Sequence, residues 1–418
     1  MKKLICVFIA VGTLLGCNNK DEVRLTTELN QTISIYSGSK SNFDRAYMLA
    51  NAFSSNDAVS ILAIGTDEEE FTYTSKSGAE IKVVPNLHSD FSQLSQLIVE
   101  NSSDDKKFNL FISSMDVERN SLLSDEAFSI VDEIYVVIEG TASLGSSGEL
   151  LDSAKTFYQQ AIKNGVKSVE YVVWDSIKED LLMKEGGIGL LAEAGIGFHF
   201  VSFNEMKEKI DILGVDGGLI SAAIYTGAIS KSIVGKQIFE KSITYSEDKD
   251  TVVLFGSYTR DEPKVSYVNQ INILDKIESI SNLDKYNVVF KGHPREVAVN
   301  DWIADNSKSI SYFLSFPYEI WQVLGQGTYV YQFDNIEYSM YLPREPSQIY
   351  SVFSSTLYGE DVSKIRAILG YNKLDELDNI TNHMHDVGVG DVDEYERWSR
   401  LTENSNVPFI FTYDFIQN

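Results

Sequence analysis

The feature that most constrains this chain is a short apolar run that recurs along it. Val59–Ile64, Phe108–Ile112, Ile134–Ile138, Val169–Val173, Thr251–Phe255 and Asn287–Phe290 are nearly continuous in β-branched and aromatic residues. A strand with one wet face alternates apolar and polar positions, whereas a strand without that alternation needs cover on both faces. Thr32–Tyr36, Ile81–Val84 and Phe198–Val201 extend the series. Helical patterns fall between the runs, at Phe43–Phe53, Leu94–Glu100 and Leu150–Asn164. This βαβ rhythm predicts an α/β fold with a parallel, doubly wound sheet.

The polar stretch Tyr245–Asp250 interrupts the rhythm, which then restarts. Thr251–Phe255 reads as a strand, Tyr267–Ile280 as a helix and Asn287–Phe290 as a strand. Thr328–Phe333 and Tyr350–Phe353 read as later strands, and Val362–Leu369 as a helix. A chain of 418 residues accommodates two or three domains. The expected division is 31–245 and 246–405, with 406–418 docked on the body because Pro408–Tyr413 is apolar and aromatic. Two such domains leave a cleft between them, where ligands bind.

The amino terminus carries Lys2 and Lys3, then an apolar stretch from Leu4 to Leu15 that is too short to span a bilayer. It ends in Leu14-Leu15-Gly16-Cys17, which resembles a bacterial lipoprotein box. On that reading 1–17 is a signal peptide, Cys17 is lipidated, 18–30 is a tether, and the protein is lipid-anchored in the bacterial cell envelope. The alternative is a plain hydrophobic terminus holding an accidental Cys. Cys6 and Cys17 are the two cysteines of the chain, so a disulfide framework is excluded.

Charge narrows the partners. Lys and Arg number 35 against 61 Asp and Glu, a net charge of −26, which argues against nucleic acid. Five His and two Cys leave little for zinc or iron–sulfur ligation. Asp248-Lys-Asp250 and Asp391-Val-Asp393 have the spacing of a metal–diphosphate pair, but acidic triplets arise by chance in so acidic a chain. His383 and His385 with Asp386 do not make a closed metal site, and His88 and His199 read as structural. Gly186-Gly187-Ile-Gly189 lacks the strand before it that a dinucleotide fingerprint needs, and Asp216-Gly217-Gly218 reads as a turn.

Three strand ends carry chemistry. Asn287–Phe290 runs into Lys291-Gly292-His293-Pro294-Arg295. Gly292 admits close backbone approach and Pro294 fixes the turn. His293 suits proton donation to a leaving phosphate, and Arg295 suits bidentate grip of an anion. Tyr350–Phe353 runs into Ser354-Ser355, whose hydroxyls and neighbouring N–H groups suit phosphate oxygens or simply cap a helix. Ile134–Ile138 runs into Glu139-Gly140-Thr141, where Glu139 is a general base or a solvated turn residue.

In this order, Glu139-Gly140, His293-Pro294 and Ser354-Ser355 resemble the motifs of the bacterial GT-B sialyltransferases, and of the multifunctional α2,3/α2,6 family in particular. Phe290–Arg295, Asn300-Asp301-Trp302-Ile303, Asn306–Ile310 and Phe198–Ser202 are similar to stretches of that family. The resemblance implies two doubly wound Rossmann-like domains facing a central cleft. It implies transfer of sialic acid from CMP-sialic acid to a hydroxyl of a galactoside-type glycan, with inversion and without a metal. Glu139 would be the base and His293 the group on the leaving phosphate, with Ser354 and Ser355 holding its oxygens. Glu319, in Ser315-Phe316-Pro317-Tyr318-Glu319, inherits a ribose-binding role. Gly256, Ser257, Lys291, Gly292, Pro294 and Arg295 complete the donor side. Gly140, Thr141, Met115 and Arg260 fall on the acceptor side.

The departures lie on that acceptor side. Ile138 stands where the family has a first acid, and Glu139 stands where its members commonly have Asp. Met115 and Arg260 stand where relatives have His and Trp against galactose. The interval from His293 to Ser354 is long, which predicts an insertion around Asp334–Gln348. Two other readings stay open: transfer of another CMP-activated acidic sugar or to a non-galactose acceptor, and a non-catalytic surface lipoprotein that binds glycans or a partner.

Overall fold

The computed structural model describes residues 32–39, 60–65, 71–74, 80–85, 91–102, 107–118, 122–138, 148–174, 188–201, 220–221, 223–224, 229, 234, 245–256, 263–292, 302–303, 306–307, 312–314, 318–352, 357, 360–370 and 407–417. The expected helix Phe43–Phe53 and the expected signal and tether, 1–30, lie outside them.

The first sheet contains β1 (Thr32–Ser39), β2 (Ser60–Gly65), β3 (Phe71–Thr74), β4 (Glu80–Pro85), β5 (Lys107–Ser113), β6 (Val131–Val137), β7 (Ser168–Trp174) and β8 (Gly197–Val201). Its order is β3-β4-β2-β1-β5-β6-β7-β8. All neighbours pair in parallel except β3, which runs antiparallel to β4 at the edge. Helices α1 (Phe91–Glu100), α2 (Ser114–Glu118), α3 (Asp125–Ile130) and α4 (Gly148–Lys163) supply crossovers. Ser124 caps α3 by accepting from the Ala127 N–H at 3.1 Å, and its own N–H donates to Ser95 Oγ on α1 at 2.9 Å.

The second sheet holds β9 (Asp250–Phe255), β10 (Tyr286–Lys291), β11 (Tyr312–Leu314), β14 (Pro346–Ser351), β15 (Ile365–Gly370) and β16 (Phe409–Phe411). Its order, β11-β10-β9-β14-β15-β16, is parallel throughout. Numbered from β9, that is 3-2-1-4-5-6, the dinucleotide-domain winding, with its reversal between β9 and β14. The first sheet contains the same order, with its reversal between β1 and β5. Helix α5 (Pro263–Ile280) links β9 to β10, α6 (Tyr318–Leu324) follows β11, and α7 (Thr412–Gln417) follows β16. The doubly wound expectation holds in both halves.

Alternation explains the continuous apolar runs. Val253, Phe255, Val289, Ile349 and Ile368 join one core cluster, while Val252, Leu254, Val288, Phe290 and Leu369 join the other. Successive side chains point to opposite faces of the sheet, and both faces are dry. The first cluster also contains Ile35, Leu110, Ile134 and Tyr171, so it runs through both sheets. The Gln332 N–H donates to Ser221 Oγ at 3.1 Å, a further link between the halves.

Two expectations change. Val362–Leu369 is not a helix: a 3₁₀ turn over Val362–Lys364 leads into strand β15. Its helical spacing of Ile365, Ile368 and Leu369 is satisfied as well by a strand covered on both faces, and pairing with β14 and β16 decides it. Thr328–Phe333 is a strand, but it lies outside the main sheet. It forms β12 (Gly327–Phe333) of an antiparallel hairpin with β13 (Ile336–Leu342). Asp334 and Asn335 turn the hairpin at φ of 50° and 61°, as a two-residue turn requires. The second hairpin strand falls within 334–348, in the crossover from β11 to β14.

The carboxyl-terminal segment completes the second sheet: β16 pairs with β15, and Phe415 on α7 packs on Tyr350 with ring centroids 5.6 Å apart. Phe415→Ala opens a cavity there and is expected to cost about 3 kcal/mol. Urea denaturation with wild-type slope and a lower midpoint checks it.

Candidate active site at the strand ends

The register of the second sheet aligns one row of residues: Leu314, Lys291, Phe255, Ser351 and Ile368. Each is at or near the carboxyl end of its strand, and neighbouring strands lie about 4.8 Å apart. Lys291, Phe255 and Ser351 therefore span about 10 Å. The Gly256 N–H donates to the Lys291 carbonyl at 2.9 Å, and the Val352 N–H donates to the Phe255 carbonyl at 3.0 Å. Hydrogen bonds thus stitch together the first residues of three loops. From this row the chain enters Gly292–Arg295, Gly256–Arg260 and the segment 353–356 with Ser354 and Ser355. Glu319 lies on α6, which begins four residues after Leu314. The β9 and β14 loops flank the winding reversal, the place where such sheets bind ligands.

Gly256 is required by its surroundings. A Cβ there would lie 2.5 Å from Gln270 Oε1 and 2.9 Å from Phe290 Cζ. Gln270 on α5 is buried beneath this turn, and Lys291 is 5% exposed, so a basic residue is set into the edge. Gly292 is buried beside it.

The first sheet offers a matching edge. Ser113 of β5 pairs with Val137 of β6. Met115 on α2 and Glu139 each lie two residues beyond that pair, with Gly140 and Thr141 following. Ile138 is buried in the core, which accounts for an apolar residue where the resembling family has an acid.

Of the expected site residues, Gly256, Lys291 and Gly292 are brought together directly. Met115 and Glu319 are placed by their backbones. Glu139, Gly140, Thr141, Ser257, Arg260, His293, Pro294, Arg295, Ser354, Ser355 and Cys17 lie outside the described residues. So do His88, His383, His385, Asp386, Asp391, Asp393, Gly186, Gly187, Gly189 and Asp216–Gly218.

Asp250 begins β9, at the opposite edge of the sheet, about 17 Å from the motif row by strand rise. Its carboxylate pairs with Arg344 at 3.2 Å, and the Arg344 N–H donates to the Tyr245 hydroxyl oxygen at 3.0 Å. Burial pushes that Tyr245 hydroxyl up to about 12. The Asp248-Lys-Asp250 triplet is thus part of a structural joint, and Asn287 holds the same turn through the Ser246 N–H and carbonyl at 2.9 and 2.8 Å. His199 sits within β8, 3.5 Å from Glu170 and edge-on to Tyr135, in keeping with a structural role. Burial and the neighbouring Glu133 carboxylate raise the Tyr135 hydroxyl well above its ordinary value.

Sequence reasoning missed the buried polar groups behind the loops. Ser113, Ser114 and Asp116 are fully buried where β5 meets α2. Glu360 is buried just after the serine segment, and it accepts from the Gln322 side chain on α6. Burial raises its carboxyl above the usual range, while Lys364 and the Tyr318 hydroxyl pull it down. Tyr318, Trp321 and Gln322 fall at helical spacing, the one sequence signal for an inward face on α6.

No protein-family model and no curated protein matches the sequence. Solved structures do match. A sialyltransferase from Photobacterium damselae, residues 113–497 corresponding to its GT-B domain, matches at 11% identity and a TM-score of 0.50, covering 91% of this chain and 100% of that one. A 2,6-sialyltransferase from a Photobacterium species, in a ternary complex with the donor product CMP and the acceptor substrate lactose, matches at 12% identity and a TM-score of 0.49. It covers 91% of this chain and 78% of the other. The likeness is one of fold, and it identifies the paired doubly wound sheets as the GT-B architecture.

Gly256→Ala is expected to destabilise the protein by about 1–3 kcal/mol, because the ring of Phe290 cannot swing aside within a packed sheet. The thermal midpoint and the exchange protection of β9 and β10 check this.

Proposed function

We propose that this GT-B protein is a glycosyltransferase that moves a sialic-acid-type sugar from its CMP donor to a glycan hydroxyl. One observation supports the reading: Gly256 is bonded to Lys291, where the Lys-Gly-His-Pro-Arg sequence starts, and Val352, just before the serines in sequence, is bonded to Phe255 across the winding reversal. The sequence that follows these strand ends is rich in cationic and hydroxyl residues, as an anionic nucleotide requires. Glu319, at the start of α6 on the same edge, takes the ribose end.

In this mechanism the acceptor oxygen attacks the anomeric carbon and its proton passes to the Glu139 carboxylate. The bond from the anomeric carbon to the phosphate oxygen breaks, and its electron pair leaves with CMP. His293 donates to that phosphate, while Ser354 and Ser355 hold its oxygens. Lys291 and Arg295 offset the charge of phosphate and sugar acid, so the single phosphate calls for no metal. Met115 and Arg260 mark the acceptor side as different from that of galactoside-using relatives, which favours an acceptor other than a simple galactoside. Cys17 anchors the protein to the envelope membrane. Among the described residues no helix is long and apolar enough to cross one.

Calorimetric titration with CMP tests the donor site, and release of CMP from CMP-sialic acid with and without lactose tests turnover. CMP binding is expected; lactose-stimulated release identifies a galactoside acceptor, CMP binding without it points to a different acceptor or sugar, and absence of CMP binding overturns the assignment. Glu139→Ala and His293→Ala should each keep the wild-type thermal midpoint and lose about 10²–10⁴-fold in kcat. Cys17→Ser should move the protein from the membrane fraction to the soluble fraction.

A further inference from the structure

We propose that Glu360 is a positioning residue: its buried carboxylate fastens helix α6, which carries Glu319, to the segment that carries Ser354 and Ser355. It thereby fixes the spacing between the ribose and phosphate ends of the nucleotide site. The proposal rests on the reading of that site given above.

The Glu360 side chain is 1% exposed, and donors from two elements converge on it. From α6, the Gln322 amide donates to Oε1, with buried Tyr318 on the same helix. From the 3₁₀ turn after the serine segment, the Lys364 ammonium stands 3.5 Å from Oε2. Tyr318 and Gln322 are one helical turn apart, so both belong to one face of α6. That face belongs to a helix following β11, whereas Glu360 follows β14. These strands are separated by β10 and β9 in the sheet, and the carboxylate bridges what the sheet keeps apart.

The rest of α6 is anchored elsewhere. The Tyr318 ring packs edge-on to Phe255 with centroids 4.7 Å apart, and the Trp321 indole donates to the Pro343 carbonyl at 2.7 Å. Those contacts seat the helix on β9 and on the hairpin exit. Glu360 ties the helix to the turn that follows β14. Burying a carboxylate is costly, and an apolar residue of the same size would serve stability as well or better. The carboxylate adds direction, since its acceptors answer donors from two elements at once.

The test compares wild type with Glu360→Gln. Gln keeps the shape and can still accept from Gln322. Its NH₂ group, however, faces the Lys364 ammonium and cannot accept from it. The thermal midpoint is expected to hold or rise. Hydrogen exchange in the Tyr318–Leu324 peptide should quicken about tenfold while β9 and β10 keep their protection, and the Kd for CMP should rise about tenfold, the size of one lost charge-assisted hydrogen bond. Among the described residues, Lys364, Tyr318 and Glu345 are the titratable groups that face this carboxylate. Burial shifts its titration upward, so wild-type CMP affinity should weaken as pH falls through that raised range, and Glu360→Gln should flatten that limb. Unchanged α6 exchange in the variant overturns the proposal. So does a lowered thermal midpoint with protection lost throughout the sheet, which marks a merely structural role. Failure of the wild-type protein to bind CMP overturns the nucleotide reading instead, and the α6 exchange rate still decides whether Glu360 makes the link.

Discussion

The structure depends first on the parallel register of the second sheet. Once β11, β10, β9 and β14 pair in parallel, their carboxyl ends share one edge. Every loop that leaves them starts within about 5 Å of its neighbour. The chain separates Gly256 from Val352 by nearly a hundred residues, yet the bonds from Gly256 to Lys291 and from Val352 to Phe255 bring the three loop starts together. No side chain needs to find another over that distance. The backbone ladder does it, and the apolar residues that cover both faces hold the ladder in place.

That ladder also limits where the chain can vary. The crossover from β11 to β14 must travel from one flank of the sheet to the other side of the winding reversal. It holds α6 and a hairpin that leaves every strand pair of the sheet in place. β12 and β13 are placed there, with Tyr331 and Tyr338 stacked 5.6 Å apart across the pair. Trp321 then uses the carbonyl of Pro343, at the hairpin exit, as its acceptor. The hairpin is therefore tied to α6.

Much of this was legible in the sequence because continuous apolar runs report burial on both faces. Val252–Phe255 and Val288–Phe290 could hardly be anything but central strands. The order of the motifs was legible too, since each sits directly behind such a run. Ile365–Leu369 was misread because five apolar-rich residues satisfy a helical and a strand period together, and only a partner on each side decides between them. β3, β11 and β16 escaped for a related reason. Phe71–Thr74, Tyr312–Leu314 and Phe409–Phe411 are edge or near-edge strands of three or four residues, too short to show a period at all.

What the sequence concealed were the polar groups behind the motifs. Gly359-Glu360-Asp361 reads as a solvated acidic turn, and Asp361 behaves as one: it caps the 3₁₀ turn by accepting from the Ser363 N–H at 2.9 Å, which lowers its carboxyl below the usual range. Glu360, one residue earlier, is buried and has its carboxyl raised. Two adjacent acids thus have opposite environments, and nothing in their own residue types distinguishes them. The difference comes from Tyr318 and Gln322, some forty positions upstream, whose face of α6 reaches only one of the two. Residues that touch the substrate are found from strand ends. Residues that hold those strand ends at a fixed spacing are defined by what another element presents to them, and that is a property of the fold.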